Sequence, residues 1–345
     1  MGISIGQTLK NGSYLIEKKL VHEYFYTTYL SKRNDGSRWI MKVLDLQSLS
    51  SLTSAERDRL SSMFWQESTR LAQCSGAPHI VRAEMPFKED DLVCLPIEYV
   101  QGNDLGTRPQ PILSEEAALE YVRQIGEALT IVHAKKLVHR NIRPANIFLR
   151  IQGGRAEAVL TNFALAMDSD TKLTRTRRSE LVDGFSPIEL YSRGNAITPC
   201  TDVYALAATL YELLTGEMPP SAEKLKEAED KGLSPHTLIS PQMQNPDISG
   251  KTVKAIRSGM ALRPETRPQS VAKWLHQLKI STGQSDNSNQ DNVNWAKWQT
   301  VWGAIAAIFG LLVGIPAWLS LRNPDTTPIP QEPAVTQEVQ EELAD

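Results

Sequence analysis

The spacing of apolar residues changes near Gln101 and Gly102, and this change constrains the fold more than any other feature of the chain. Before it, short runs of β-branched and aromatic residues are typical of strands. These runs are Glu23 to Leu30, Arg38 to Leu44 and Leu92 to Val100. After it, apolar residues recur every three or four positions, as on one face of a helix. We therefore expect an α+β fold with a small β-rich lobe at about 1–100 and a larger helical lobe at about 101–280.

Two stretches after this change have strong helical patterns. In the first, Ser114 provides an N-cap, and Glu115 and Glu116 place negative charge in the first turn, where the helix dipole favours it. The apolar positions that follow at helical spacing are Ala118, Tyr121, Val122, Ile125, Leu129 and Val132. Residues 203–214 predict a second, strongly apolar helix.

Charge and cysteine content exclude several classes of protein. The net charge is −3, and residues 323–345 contain six acidic and no basic residues. The rest of the chain therefore carries +3, which is too little for a nucleic-acid-binding surface, and we expect no nucleic-acid partner. The three cysteines are scattered and odd in number. The sequence thus indicates neither a disulfide framework nor a zinc site, and we expect no bound structural metal.

Several short motifs follow one another in a recognisable order. They are Trp39-Ile40-Met41-Lys42, Phe64-Trp65-Gln66-Glu67, Ile97-Glu98-Tyr99-Val100, His139-Arg140-Asn141-Ile142-Arg143-Pro144-Ala145-Asn146, Asn162-Phe163-Ala164, Gly184-Phe185-Ser186-Pro187-Ile188-Glu189 and Pro264-Glu265-Thr266-Arg267-Pro268. Over residues 12–280 this order resembles the eukaryotic-type Ser/Thr protein kinases of bacteria. The resemblance implies a bilobal protein-kinase-like fold with a nucleotide cleft between the lobes.

The resemblance assigns cofactor-binding roles to several positions. Lys42 is similar to the lysine that holds the α and β phosphates of ATP, and Glu67 to the helix glutamate that pairs with it. Glu98 and Val100 lie in the segment that meets adenine through backbone groups. Asn146 matches a metal-binding asparagine. Asp104 is a further candidate, for a ribose hydroxyl, and a loop-capping role explains it equally well.

The departures from the kinase pattern fall on catalytic positions. Asn141 stands where the family has the aspartate that accepts the proton of the attacking hydroxyl, and a carboxamide does not accept a proton near neutral pH. Arg143 replaces the lysine of the same loop and still carries a positive charge. Asn162 replaces the metal-binding aspartate of Asp-Phe-Gly. Magnesium prefers charged oxygen ligands, so we expect Mg²⁺ to bind poorly.

The glycine-rich loop that covers the phosphates in the family is also altered. Its three glycine positions hold Val21, Glu23 and Tyr26, whose side chains occupy space that phosphate needs. The charge of Glu23 would repel a polyanion by about 1 to 4 kcal/mol at 4 Å. We therefore expect ATP, the cofactor that the resemblance implies, to bind weakly.

The architectural positions of the kinase pattern are retained. Glu189 and Arg267 match a glutamate and an arginine that pair in the family, and Asp202 begins the predicted central helix. Burying opposite charges is tolerable only as a bonded pair, so keeping both indicates that the larger lobe folds as it does in the family.

Residues 301–321 are the one candidate for a membrane span. They contain no charge over 21 positions, enough at about 1.5 Å per residue to cross a hydrocarbon layer of about 30 Å. Trp298, Trp302 and Trp318 lie near its ends, where rings favour the headgroup level. The alternative is a buried hairpin helix of a soluble domain. The chain beyond 1–280 is predicted to comprise a polar linker at 281–299, a transmembrane helix at 300–321 and an acidic Pro- and Glu-rich tail at 322–345.

These observations lead to one main hypothesis and two alternatives. The main hypothesis is a membrane-anchored pseudokinase that acts as a signalling scaffold or allosteric regulator of a protein partner, such as an active kinase or its substrate. Its kinase-like domain would be cytoplasmic and its tail on the opposite side of the membrane. One alternative is a Ser/Thr protein kinase with noncanonical metal chemistry, which Lys42, Arg143 and Asn146 favour. The other, an enzyme that transfers a different nucleotide-derived group, rests on fold analogy alone.

Overall fold

The computed structural model describes residues 3–22, 26–49, 52–163, 166–168, 181–191 and 196–278. The linker, membrane span and tail predicted after residue 280 lie outside this part of the chain. Within the part that is described, no helix is both long enough and apolar enough to cross a membrane.

An antiparallel sheet forms the amino-terminal lobe. Its strands are β1 (Thr8–Leu9), β2 (Tyr14–His22), β3 (Thr27–Arg33), β4 (Arg38–Asp45), β5 (Phe87–Glu89) and β6 (Leu92–Glu98). Their order across the sheet is β1-β2-β3-β4-β6-β5. Helix α1 (Ser54–Cys74) lies between β4 and β5 in the chain. It begins with a capping box, in which Thr53 and Glu56 satisfy each other's free backbone N–H groups.

The three predicted strands correspond to β3, β4 and β6. Strand β4 extends one residue beyond the predicted end, whereas β6 ends at Glu98, before the chain leaves the sheet. Residues 23–25, at the start of the first predicted run, are not described, and β3 begins at Thr27. Strand β2 was not predicted, because only Tyr14 and Ile16 of its nine residues are buried and its pattern is therefore mostly polar.

The carboxy-terminal lobe is mainly helical. Its helices are α2 (Glu115–Ala134), α3 (Ile188–Tyr191), α4 (Pro199–Thr215), α5 (Ala222–Asp230), α6 (Pro235–Leu238), α7 (Pro241–Gln244), α8 (Gly250–Gly259) and α9 (Val271–Gln277). Two small antiparallel ladders complete it, β7 (Leu137–Val138) with β10 (Met167–Asp168), and β8 (Ile147–Gln152) with β9 (Arg155–Leu160). A β-rich lobe followed by a helical lobe confirms the predicted fold class.

Both predicted helices are present. The Ser114 hydroxyl accepts the backbone N–H of Ala117 at the start of α2, and the predicted apolar positions of α2 are buried. Helix α4 is longer than the predicted 203–214 and buries nearly every side chain. It ends where Gly216, at φ 73°, donates its N–H to Glu212 O at 2.8 Å. Glycine suits this left-handed position because it has no Cβ.

The two lobes meet just after β6. At Gly102 an added Cβ would collide with the carbonyl oxygen of Leu149 in β8, so glycine allows the connecting segment to pass close to the larger lobe. One apolar core continues through both lobes and includes Phe64 of α1, Leu95 of β6 and Leu206 of α4. This shared core holds the strands of one lobe next to the loops of the other.

Candidate functional site

The loop that contains Asn141 is fixed by the first turn of α4. Asp202, fully buried, accepts the backbone N–H groups of His139 at 2.8 Å and Arg140 at 2.7 Å. His133 Nε2 lies 2.8 Å from the same carboxylate. Burial by itself would raise the pKa of Asp202, but the hydrogen bond and charge of His133 hold it below its ordinary value. The loop is therefore held by an ionised carboxylate, which also supports Arg140 at its left-handed φ of 66°.

His139 is a structural residue of this loop. Burial lowers its pKa to about 4, so the imidazole is neutral at pH 7. Its ring packs edge-on against Phe163, with the centroids 4.6 Å apart. This contact joins the loop of Asn141 to the segment of Asn162.

Three asparagines meet where the resemblance places the metal. Asn146 Nδ2 donates to the backbone oxygen of Asn141 at 2.7 Å. Because a carbonyl oxygen only accepts, this bond directs Asn146 Oδ1 the other way, where Asn162 Nδ2 donates to it at 3.2 Å. Asn146 Oδ1, which would ligate a metal in the family, thus accepts an amide N–H.

This arrangement does not fit a magnesium site. Magnesium takes hard oxygen ligands and is normally bound through one or two carboxylates. Here the two candidate side chains are neutral amides, and Asn162 Nδ2 donates to Asn146 Oδ1. Elsewhere in the described residues, no group of three or more His, Cys, Asp or Glu side chains has the arrangement of a metal site. Within the part of the chain that the structure describes, these positions therefore lack the carboxylates that usually bind the divalent ion of kinase chemistry.

Lys42 lies in the middle of β4, opposite Thr28 of β3 and Leu95 of β6. Its Nζ is 3.7 Å from the ring centroid of Tyr26. Glu67, which the resemblance assigns as the partner of this lysine, is buried on α1. An aromatic ring thus lies on the lysine that the resemblance assigns to the phosphates.

The segment that would contact adenine has its side chains engaged elsewhere. Glu98 Oε2 accepts from Arg150 Nη2 at 2.9 Å and from Arg82 Nε at 3.3 Å. Val100 is buried. Asp104 caps the short 3-10 turn Leu105–Thr107, where Thr107 N donates to it at 2.9 Å. Of the two roles considered for Asp104, the structure therefore shows loop capping.

Arg143 supplies the positive charge of the catalytic loop. It precedes the 3-10 turn Pro144–Asn146, which leads into β8. Burial raises the pKa of Glu212 on α4, and the positive charges of Arg108 and Arg143 partly oppose that rise. Arg143 belongs to the loop of Asn141 and is also close enough to α4 for its charge to act on Glu212.

The architectural ion pair predicted between Glu189 and Arg267 is present. Its two bonds are 2.6 and 3.0 Å long, and both side chains are fully buried. Thr201 Oγ1 donates to Glu189 at 3.0 Å, and the guanidinium lies over the ring of Tyr204. All three nitrogens of the Arg267 guanidinium and both carboxylate oxygens of Glu189 have hydrogen-bond partners, as a buried pair requires.

Sequence reasoning named most of these positions but missed two relationships. It counted Tyr26 only as a lost glycine, although a large aromatic side chain two positions before Thr28, the strand partner of Lys42, was a signal for contact. It did not connect His133 with Asp202, which are 69 residues apart. Glu23 and Ala164 lie outside the described residues, so the effect expected of the Glu23 charge stays a prediction.

Comparison with known proteins identifies the family. Residues 25–278 match the family described as protein kinase domain. The serine/threonine-protein kinase PkaA of Streptomyces coelicolor is 30% identical over 218 residues, which cover 62% of this chain and 39% of that protein. PkaB of the same organism is 35% identical over 175 residues, covering 48% of this chain and 41% of that protein. PrkC of Bacillus subtilis is 33% identical over 210 residues, or 59% and 31% of the two chains.

A solved structure agrees with the fold. The crystal structure of the kinase domain of Mycobacterium tuberculosis PknI, in a double-mutant form, superposes with a TM-score of 0.59 at 21% identity, covering 82% of this chain and all of that domain. At this identity the likeness concerns the fold alone. The match spans about two fifths of the length of PkaA and PkaB.

Proposed function

Because the chain belongs to the protein kinase domain family, we propose that it is a pseudokinase: it keeps the kinase fold, transfers little or no phosphate, and acts as a scaffold or allosteric regulator of a protein partner. One observation carries this proposal. The amide of Asn162 donates to Asn146 Oδ1 at 3.2 Å, and the neighbouring Asn141 offers no carboxylate to an attacking hydroxyl. Loss of a general base alone typically slows a reaction by about 10² to 10⁴.

The retained architecture supports a binding role. Asp202 still holds the catalytic loop, and the pair of Glu189 with Arg267 is intact. These groups maintain the shape of the larger lobe without taking part in phosphoryl transfer. A protein partner, such as an active kinase or its substrate, would recognise this shape.

A phosphoryl-transfer assay tests the proposal. The purified full chain is incubated with radiolabelled ATP, Mg²⁺ or Mn²⁺ and a general Ser/Thr substrate protein, beside Lys42→Met as a matched control. We expect the label in the wild type and in Lys42→Met to be equal and far below stoichiometric. Stoichiometric labelling of the wild type that Lys42→Met abolishes would overturn the proposal.

A second candidate is a Ser/Thr protein kinase that uses unusual metal chemistry. The names of PkaA, PkaB and PrkC favour it, and the comparisons taken alone support it better than the pseudokinase. The retained Lys42, Arg143 and Asn146 are compatible with it. Thermal unfolding with ATP, with and without Mg²⁺, separates the two: stabilisation that depends on the metal favours the kinase, and no shift favours the scaffold.

We also propose that the chain is anchored in a membrane by residues 300–321, with the kinase-like domain in the cytoplasm and the tail across the bilayer. The support is the uncharged stretch Val301 to Leu321 with its flanking tryptophans. Carbonate extraction of membranes from cells that express the full chain, beside a chain ending at residue 290, tests this. We expect the full chain to stay in the membrane pellet; recovery of both in the soluble fraction would contradict the anchor.

A further inference from the structure

The ring of Tyr26 covers the charged end of Lys42. The Nζ atom is 3.7 Å from the ring centroid, well within the limit of about 6 Å for a cation–π contact. The other such contacts of the described residues are longer, between 5.0 and 5.9 Å. Tyr26 is only 9% exposed and Lys42 is half-buried, so the contact is partly shielded from water, which strengthens it.

Two elements position the ring. Tyr26 directly precedes β3, whose next residues Thr27 and Thr28 pair with Val43 and Lys42. The ring also contacts Phe64 of α1, with the centroids 6.0 Å apart and the planes tilted by 39°. The ring therefore fills the space between β4 and α1.

The same helix face carries Glu67. Phe64 and Glu67 are three residues apart on α1, so their side chains project to the same side, and both are buried. The ring of Tyr26 therefore contacts both this helix face, through Phe64, and the lysine. The contact is thus made at the position where the family joins its lysine to the helix and to phosphate.

We propose that Tyr26 determines which ligands the cleft accepts: its ring takes the place of phosphate on Lys42, so the cleft discriminates against nucleoside triphosphates. The face of an aromatic ring is electron-rich and attracts a cation but repels an anion. A triphosphate reaching Lys42 would have to displace the ring and break the cation–π contact. This inference rests on the proposed function, because it explains why a kinase fold without phosphoryl transfer also binds its usual nucleotide weakly.

Three variants of the full chain test the inference by titration calorimetry with ATP and with inorganic tripolyphosphate, in EDTA and then in Mg²⁺. Tyr26→Gly restores the residue that the family has at this position. We expect it to bind both ligands at least about tenfold more tightly than the wild type, the change expected from losing one shielded cation–π competitor. Tyr26→Phe keeps the ring face and should behave as the wild type. Tyr26→Gly combined with Lys42→Met should lose the gain.

Equal affinities in the wild type and Tyr26→Gly would overturn the inference, and so would a gain in Tyr26→Phe as large as in Tyr26→Gly. A wild type that transfers phosphate would overturn the proposed function, yet a tenfold gain in Tyr26→Gly would still support the role of Tyr26. A wild type that transfers no phosphate, together with no gain of affinity in Tyr26→Gly, would support the proposed function and overturn the role of Tyr26. The two failures are therefore distinguishable.

A measurement on the wild type covers the case in which Tyr26→Gly does not fold. Reductive ¹³C-methylation keeps the charge of lysine and places methyl groups on Nζ. Because the ring current shields groups over its face, the methyl resonance of Lys42 should be shifted upfield. The resonance is assigned by its loss in Lys42→Arg. In Tyr26→Phe it should keep the upfield shift. Absence of an upfield lysine resonance would overturn the inference.

Discussion

At the scale of single residues, an amide in place of a carboxylate changes both charge and hydrogen bonding. Unlike an aspartate, Asn162 has no negative charge to attract a metal, and its Nδ2 donates a hydrogen bond to Asn146. Asn141 keeps its backbone role, since its carbonyl accepts from Asn146 Nδ2 at 2.7 Å. The three residues are therefore joined by hydrogen bonds, but none of their side chains supplies the carboxylate that general-base or magnesium chemistry normally uses.

His139 gives a prediction about stability and pH. Its pKa falls from an ordinary 6.5 to about 4 on folding because the ring is buried, so the unfolded chain binds the proton more strongly. Stability is then fully present above pH 6.5 and decreases as the pH falls towards 4. The loss is about 1.4 kcal/mol per pH unit and about 3 kcal/mol in total. The lowered pKa of the adjacent Asp202 acts in the same direction at still lower pH.

Urea unfolding of the full chain between pH 7 and pH 4.5 measures this dependence. His139→Gln should be less stable at pH 7 but should show a flatter dependence. His276→Gln, which changes an exposed histidine on α9, should follow the wild type. A slope in His139→Gln as steep as in the wild type would contradict the role given to His139.

At the scale of secondary-structure elements, polar groups at the start of α4 and around α3 fix the larger lobe. Asp202, in the first turn of α4, accepts from the loop after β7. Glu189 of α3 binds Arg267, which also donates to the carbonyl oxygens of Ala261 and Leu262. These bonds join segments far apart in the chain, so the lobe depends on them for its form as well as on its apolar core.

Arg267→Met is expected to lower the free energy of unfolding by about 3–5 kcal/mol, because it leaves the Glu189 carboxylate buried without its partner. Combining it with Glu189→Leu should cost clearly less than the sum of the two single changes, since no buried charge then remains. Equilibrium unfolding in urea measures all three variants. Lys231→Gln, which breaks an exposed pair with Glu227, should cause no measurable change. Additive losses in the double variant would contradict the explanation.

At the scale of the whole molecule, a series of ion pairs and histidine–carboxylate contacts connects the two lobes beside the segment that joins them. This hinge network consists of Arg82, Glu98, Arg150, Glu157, His79, Glu127, Arg123 and Glu120. Arg150 is its centre, with Nη2 2.9 Å from Glu98 of β6 and Nη1 3.2 Å from Glu157 of β9. It thus links the small lobe to the large one through side chains, in addition to the shared core.

Arg150→Met is expected to lower the free energy of unfolding by about 1–2 kcal/mol, because two mostly buried carboxylates lose a shared donor. The loss should shrink in 1 M NaCl, which screens the remaining charges. Arg82→Met removes an arginine that is 65% exposed and should cost less. Chemical unfolding at two salt concentrations measures both variants. A loss in Arg82→Met equal to that in Arg150→Met would contradict the central place of Arg150.

The sequence by itself determined the order of the elements and the chemistry of the catalytic positions. Apolar spacing and capping residues such as Ser114 are local signals, and a side chain's functional groups do not depend on the fold. Only the tertiary structure decided which groups meet. The contact of Tyr26 with Lys42, the bond of Asn162 to Asn146 and the hinge network arise where distant segments pack together. Such contacts depend on three-dimensional packing, which the spacing of residues along the chain does not specify.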